Sequence, residues 1–325
     1  MNGSKLKVFT TRSRDSFPNS AMEVLESSCD VSYWKDNSVI PKEDLISNIK
    51  DKDALFCLLT DKVDKEVLDS ANNLKVVSTM SVGFDHLDLG TLKAKNVKVG
   101  YTPGVLTDST ADLTVSLLLA TSRRLLEGSV ALKAGGWSAW SPLWMCGPEL
   151  AGSTVGIVGL GQIGKAVMKR LKPFGVAKFV YCGRTQKDAD YEDGAEFLTF
   201  EELLAVSDFV LVTCSYSPDL HHKFDKKAFS MMKQTSILIN TSRGGIINQE
   251  DLVEALKNKD IFAAGLDVMT PEPLPISHPL TTLDNCVLIP HLGSATIQTR
   301  TIMSKMTVEN ILAGLAGKTM PAQLA

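Results

Sequence analysis

No stretch of this 325-residue sequence approaches the roughly 18–20 consecutive apolar residues of a membrane-spanning helix, so no membrane segment is expected. A surplus of either charge is also lacking. Lys and Arg number 34 against 37 Asp and Glu, a formal net charge of −3. A dedicated nucleic-acid or anionic-membrane surface would need a basic excess, and neither partner is expected. Six cysteines are scattered without a CxxC pair. That spacing argues against a disulfide scaffold or a zinc module and reads as reduced thiols in a cytoplasmic protein. The five histidines lack the close spacing with carboxylates or thiolates that metal ligands show, so no metal is expected. The polar Met1–Lys7 stretch has no leader pattern, and Pro321–Ala325 carries neither a peroxisomal tripeptide nor a prenylation box. Fixed-period repeats and low-complexity segments are absent as well.

What the sequence does have is length and alternation. At roughly 150 residues per domain, it accommodates two domains, each with its own core. Short apolar, β-branched runs predict strands at 7–10, 54–59, 76–79, 98–100, 154–158, 178–181, 209–213, 237–240, 263–266 and 287–289. Most are continuously apolar, as parallel strands covered on both faces require. Helical patterns lie between them, at 20–28, 65–71, 200–205 and 249–257. Alternating strands and helices imply an α/β protein built of two doubly wound parallel-sheet domains. Two longer helical patterns, 108–126 and 295–315, follow turns and mark the domain crossings. The division is thus 1–103 with 295–325 for a discontinuous domain and 104–294 for an inserted one.

The strand ending at Val158 runs into Gly159-Leu160-Gly161-Gln162-Ile163-Gly164 and then a helical pattern. In this strand–turn–helix setting, Gly159 permits the tight turn and Gly161 lets the backbone approach a pyrophosphate. Gly164 allows the helix to pack closely on the strand. The next strand ends in Cys182-Gly183-Arg184-Thr185. The carboxylate that commonly binds the ribose hydroxyls of NAD is missing, and an arginine stands where a 2′-phosphate would lie. Guanidinium pairs with phosphate, so NADPH/NADP is the expected cofactor, with NADH less preferred.

Three late segments follow predicted strands: Asn240-Thr241-Ser242-Arg243-Gly244-Gly245, Gly265–Pro273 containing Asp267 and Glu272, and Pro290-His291-Leu292-Gly293-Ser294. Carboxyl ends of strands are where doubly wound sheets bind ligands, so Arg243, Glu272 and His291 are expected to converge. Arginine can clamp a carboxylate and polarise the carbonyl beside it. Histidine can protonate the oxygen that becomes an alcohol, and a nearby glutamate favours imidazolium and orients the ring. The remaining histidines read as ordinary: His86 ordering its loop, His221 and His222 solvated, His278 bonding in a turn.

In their order, these motifs resemble those of the D-isomer-specific 2-hydroxyacid dehydrogenases, nearest to glyoxylate/hydroxypyruvate reductases. Ser81–His86 and Gly100–Gly104 extend the resemblance over nearly the whole chain. It implies a Rossmann coenzyme domain inserted into a flavodoxin-like substrate domain. It also implies a small 2-keto or 2-hydroxy acid substrate and a homodimer formed through the coenzyme domain. By position it assigns catalysis to Arg243, Glu272 and His291. Substrate contacts fall to Val82, Gly83, Arg243, Asp267, His291 and Ser294. Cofactor contacts fall to Gly159, Gly161, Gln162, Ile163, Gly164, Gly183, Arg184, Thr185, Ser215, Thr241, Asp267 and Gly293. Trp140, in a tryptophan-rich loop at 135–150, either packs on its own domain or reaches across the two-fold axis to limit the partner's pocket. Two other readings stay open: an NAD-dependent relative such as phosphoglycerate dehydrogenase, and a dinucleotide-sensing, corepressor-like interaction protein.

Overall fold

The computed structural model describes residues 5–324. Met1–Ser4, part of the stretch read for a leader, and Ala325, the end of the tail read for targeting signals, lie outside them. Strands β1 (Lys7–Thr10), β2 (Asp30–Tyr33), β3 (Ala54–Cys57), β4 (Val76–Thr79) and β5 (Lys98–Gly100) are followed by β6 (Thr154–Val158), β7 (Lys178–Cys182), β8 (Glu196–Phe197) and β9 (Phe209–Val212). β10 (Ile237–Asn240), β11 (Ala263–Leu266), β12 (Cys286–Leu288) and β13 (Gln323–Leu324) complete the set. The chain separates into two compact units. One holds the residues up to Leu106 with those from Ala295 onward, and the other is Thr107–Ser294. The first crossing falls after Leu106 rather than after 103. Thr102 still donates its N–H to Ser81 of the first unit, and the chain leaves only where the helix Thr107–Ser122 begins.

In the first unit the strand order is β13-β5-β4-β3-β1-β2. Five strands are parallel and β13 pairs antiparallel with β5. Helix Ile297–Leu315 packs on β4 and on helix Asn19–Ser28. The direction of chain progression reverses between β1 and β3, where such a sheet commonly binds a ligand. Here Arg12 and Asp61, both buried, form an ion pair at 2.8 Å, and Leu58 N–H and the Thr11 and Thr60 hydroxyls complete the bonding.

In the second unit the order is β12-β11-β10-β9-β6-β7-β8, parallel throughout. The reversal lies at β6, which pairs with β7 on one side and β9 on the other. One apolar cluster covers each face of the sheet. Leu203, Phe224, Phe229 and Leu252 lie in one, and Leu118, Val167, Met168 and Leu171 in the other. This double burial is why its strands read as continuous apolar runs.

Two expectations change. The pattern at 108–126 is two helices, Thr107–Ser122 and Leu125–Lys133. Arg124 between them takes the left-handed conformation at φ 51° and pairs with Glu127 at 2.6 Å. No Gly or Pro marks that stop, so the apolar pattern ran through it. The short strands β2, β8 and β13 were not expected either. They lie at or beside sheet edges, and none has four buried residues in a row. Among the described residues, no helix is long and apolar enough to cross a membrane.

Candidate active site

The glycine turn sits at the reversal of the second sheet. Gly159 has φ 98°, and a Cβ there would lie 2.5 Å from the Cys214 Cα. At Gly164 a Cβ would lie 2.5 Å from the Gly159 carbonyl oxygen, so the helix Gln162–Leu171 approaches the turn as closely as it does only without a side chain. Gly161 differs: a Cβ there would meet nothing within 4 Å. It is the N-cap of that helix, and no side chain caps the helix. Free N–H groups, the positive end of the helix dipole and open space beside the backbone together fit a pyrophosphate. Gln162 is exposed and Ile163 half-buried within the first turn. Thr213, just past β9, donates its hydroxyl to the Gly159 carbonyl and braces the turn. Ser215 is exposed two residues further on, and the Thr241 hydroxyl meets that of Thr114 at 2.9 Å.

At the tip of β7, Gly183, Arg184 and Thr185 are exposed. Among the described residues Arg184 has no ion-pair partner.

The tips of β10, β11 and β12 are tied to one another. Asn240 ends β10 and accepts the Ser242 N–H at 3.0 Å while donating to the Arg243 carbonyl at 2.9 Å. This Asx turn aims the half-buried Arg243, whose guanidinium also donates to the Ser242 carbonyl. A Cβ at Gly244 would lie 2.1 Å from the Met269 carbonyl group, so the β10 turn sits against the chain leaving β11. In that chain Glu272 accepts the Met269 N–H at 2.9 Å. Gln249 bonds both the N–H and the carbonyl of Thr270. The other oxygen of Glu272 lies 2.8 Å from Nδ1 of His291. His291 itself has φ 53°. Buried Asp267 holds it there, accepting the N–H groups of Leu292 (2.5 Å) and Gly293 (2.9 Å), while its backbone carbonyl accepts that of His291. Burial pushes the Asp267 carboxyl above the ordinary carboxylate range.

With Nδ1 turned to Glu272, Nε2 is the imidazole atom left to exchange a proton with a ligand. The carboxylate fixes the orientation of the ring. Gly293 is buried and Ser294 half-buried beyond it.

In the first unit, Val82 and Gly83 are half-buried at the tip of β4. Ser81 donates its hydroxyl to the Gly83 carbonyl, and Thr79 bonds both Ser81 (3.0 Å) and Nε2 of His86 (2.9 Å). His86 thus orders its loop, and His278 caps a turn by accepting the Leu280 N–H. His221 and His222 are exposed, as a solvated loop implies; His221 also meets the Tyr216 hydroxyl at 3.1 Å and stacks on His222. Trp137, Trp140 and Trp144 are all exposed, Trp140 at 79%.

Sequence reasoning passed over Asn240, Gln249 and the Thr79–Ser81 pair. Asn240 had a local signal, an Asx residue closing a strand. Gln249 had none, because its partner lies 21 residues away.

Fold and site together define a dinucleotide-dependent oxidoreductase. Residues 115–293 match the model of the D-isomer specific 2-hydroxyacid dehydrogenase, NAD binding domain. A Mus musculus protein named glyoxylate reductase/hydroxypyruvate reductase is 52% identical over 323 residues, 98% of each chain. Its Homo sapiens counterpart is 50% identical over 321 residues, again 98% of each. Among solved structures, a protein from Thermus thermophilus superposes with a TM-score of 0.91 at 41% identity, covering 98% of this chain and 100% of that one. A Sinorhizobium meliloti NADPH-dependent glyoxylate/hydroxypyruvate reductase, solved with NADP and malonate, gives 0.87 at 27% identity, covering 99% and 97%. The chain belongs to the D-isomer specific 2-hydroxyacid dehydrogenases. Its cofactor is a nicotinamide dinucleotide and its substrates are small 2-hydroxy or 2-keto acids.

Proposed function

We propose that this enzyme reduces hydroxypyruvate to D-glycerate and glyoxylate to glycolate, preferring NADPH. The observation that carries the reading is the Glu272–His291 pair at 2.8 Å, held at strand tips beside the turn of Arg243. The bound dinucleotide supplies the hydride. Arg243 grips the substrate carboxylate and polarises the neighbouring carbonyl. His291, oriented by Glu272, gives its proton from Nε2 to the carbonyl oxygen, so the keto acid leaves as the hydroxy acid. Ser294 and Asp267 complete the contacts, with Asp267 acting through the loop it holds.

NADPH preference is supported by the exposed, unpaired Arg184 and by the missing carboxylate at the β7 tip. The names of the mammalian relatives supply the two substrates. A homodimer is supported by one continuous stretch of sequence in the second unit that leaves Leu125, Leu126, Val130, Leu132, Leu143 and the three tryptophans exposed. Such a surface is costly in water unless covered. Trp140 is assigned to limiting the chain length of the substrate from the partner subunit.

The test is NADPH consumption by the purified protein with hydroxypyruvate and glyoxylate, repeated with NADH, and with pyruvate as control. Turnover on the first two with NADPH supports the reading; dinucleotide binding without turnover on either overturns it. In Arg184→Ala the preference for NADPH over NADH should collapse.

A further inference from the structure

The turn after β7, residues 183–188, is exposed along its whole length. Among the described residues, none from Gly183 to Lys187 donates a backbone hydrogen bond to another backbone group. Yet this is the turn that the NADPH reading asks to hold Arg184 and Thr185 steady against a phosphate. What holds it comes from beneath. Tyr181 is buried in β7, its ring 5.2 Å from that of Phe197 on β8. Its hydroxyl accepts the Lys187 N–H at 2.7 Å and donates to Oε1 of Glu192 at 2.7 Å. The same carboxylate oxygen accepts Nε2 of Gln186 at 3.1 Å. Glu192 ends the short helix Ala189–Glu192, so one phenol ties the strand, the far end of the turn and the following helix together. Two cations lie at the ring of Tyr191, the neighbour of Glu192. The ammonium of Lys165, on the helix that begins at the glycine turn, lies 4.2 Å from the Tyr191 ring centroid, and that of Lys187 lies 6.0 Å from it.

We propose that Tyr181 is a positioning residue for the 2′-phosphate of the dinucleotide, acting through Lys187 N–H and Glu192. The inference rests on the NADPH reading and assigns it a further residue. A phosphate is bound well only by donors that do not have to be ordered when it arrives, since ordering a loop at that moment lowers affinity. NADH lacks the phosphate and gains little from the turn, so the frame matters for one dinucleotide and hardly for the other. Oε1 of Glu192 is engaged by both the phenol and Gln186.

The experiment is calorimetric titration of the ligand-free protein with NADPH and with NADH, alongside thermal melting of each variant. Tyr181→Phe keeps the packed ring and removes the hydroxyl. Its affinity for NADPH should fall about three- to tenfold, the scale of a lost hydrogen bond, while that for NADH stays within about twofold. Glu192→Ala should move the ratio the same way. Glu192→Gln keeps an acceptor for the phenol and should keep the wild-type ratio. An unchanged ratio in Tyr181→Phe, or equal weakening toward both dinucleotides, overturns the inference. Equal affinity of the wild type for NADPH and NADH would instead overturn the NADPH reading itself. Loss of preference in Arg184→Ala but not in Tyr181→Phe would leave that reading standing and remove only the role of Tyr181.

Discussion

At the scale of single residues, the site depends on side chains held in conformations they would not choose alone. His291 sits at φ 53°, a region in which asparagine is comfortable. His291→Asn therefore keeps the backbone and removes the imidazole proposed as proton donor. Its kcat should drop by about 10²–10⁴ with dinucleotide affinity unchanged, and steady-state kinetics with calorimetry will measure both. Asp267 makes a different prediction. Burial raises its pKa, so the folded protein keeps this proton to higher pH than the unfolded chain does. Stability from this group is fullest below the ordinary carboxylate range and is lost as pH climbs through the raised value. The urea midpoint of the wild type, relative to Asp267→Asn, should fall as pH rises above the ordinary carboxylate range; a constant gap would refute the direction. Arg243, Glu272 and His291 stand out in the sequence as candidates because the proposed chemistry calls for those residue types after strands. Asn240 and Gln249, which aim the loops carrying Arg243 and Glu272, were not singled out. Both bond to backbone: Asn240 does so locally, as an Asx residue closing a strand, whereas the partner of Gln249 lies 21 residues away, where no local pattern records it.

Elements explain why glycines of similar appearance have different jobs. Gly244→Ala drives a methyl against the Met269 carbonyl, with 2.1 Å available, and should displace the β10 turn. The expected result is a lower melting temperature together with lost turnover. Gly161→Ala meets no protein atom within 4 Å, so its melting temperature should stay at the wild-type value. Its dinucleotide affinity should nevertheless fall about tenfold or more, because the methyl occupies the space left for pyrophosphate. If Gly161→Ala binds normally, the cradle has been misplaced. Interior strands such as β3, β9 and β10 were plain in the sequence because burial on both faces demands unbroken apolar runs. The two-residue strands β8 and β13 carry no such demand, and only their sheet partners make them strands. The stop at Arg124 was hidden for a related reason. A left-handed arginine is maintained by its surroundings, including Glu127, rather than announced by its own side chain.

For the whole molecule, the exposed apolar surface on the second unit sets the next prediction. Val130→Glu combined with Leu132→Glu places charge in that surface, and sedimentation should shift from dimer to monomer. An unshifted boundary would show that another face pairs or that none does. Trp140→Ala should widen activity toward longer 2-keto acids, measured as the ratio of kcat/KM values; an unchanged ratio removes Trp140 from substrate selection. The linear order of residues determined whatever depends on near neighbours and on residue type. That covers the alternating elements, the glycine turn, the arginine after β7 and the three catalytic candidates. Sheet order decided the rest. Laying β10, β11 and β12 side by side brings Glu272 to Nδ1 of His291, 19 residues further on, and seats Asp267 beneath the loop that carries that histidine. Burial likewise decided which tryptophans stand in solvent and which phenol braces the turn after β7. Contacts of this kind join residues that only the folded backbone makes neighbours, and a one-dimensional pattern does not record them.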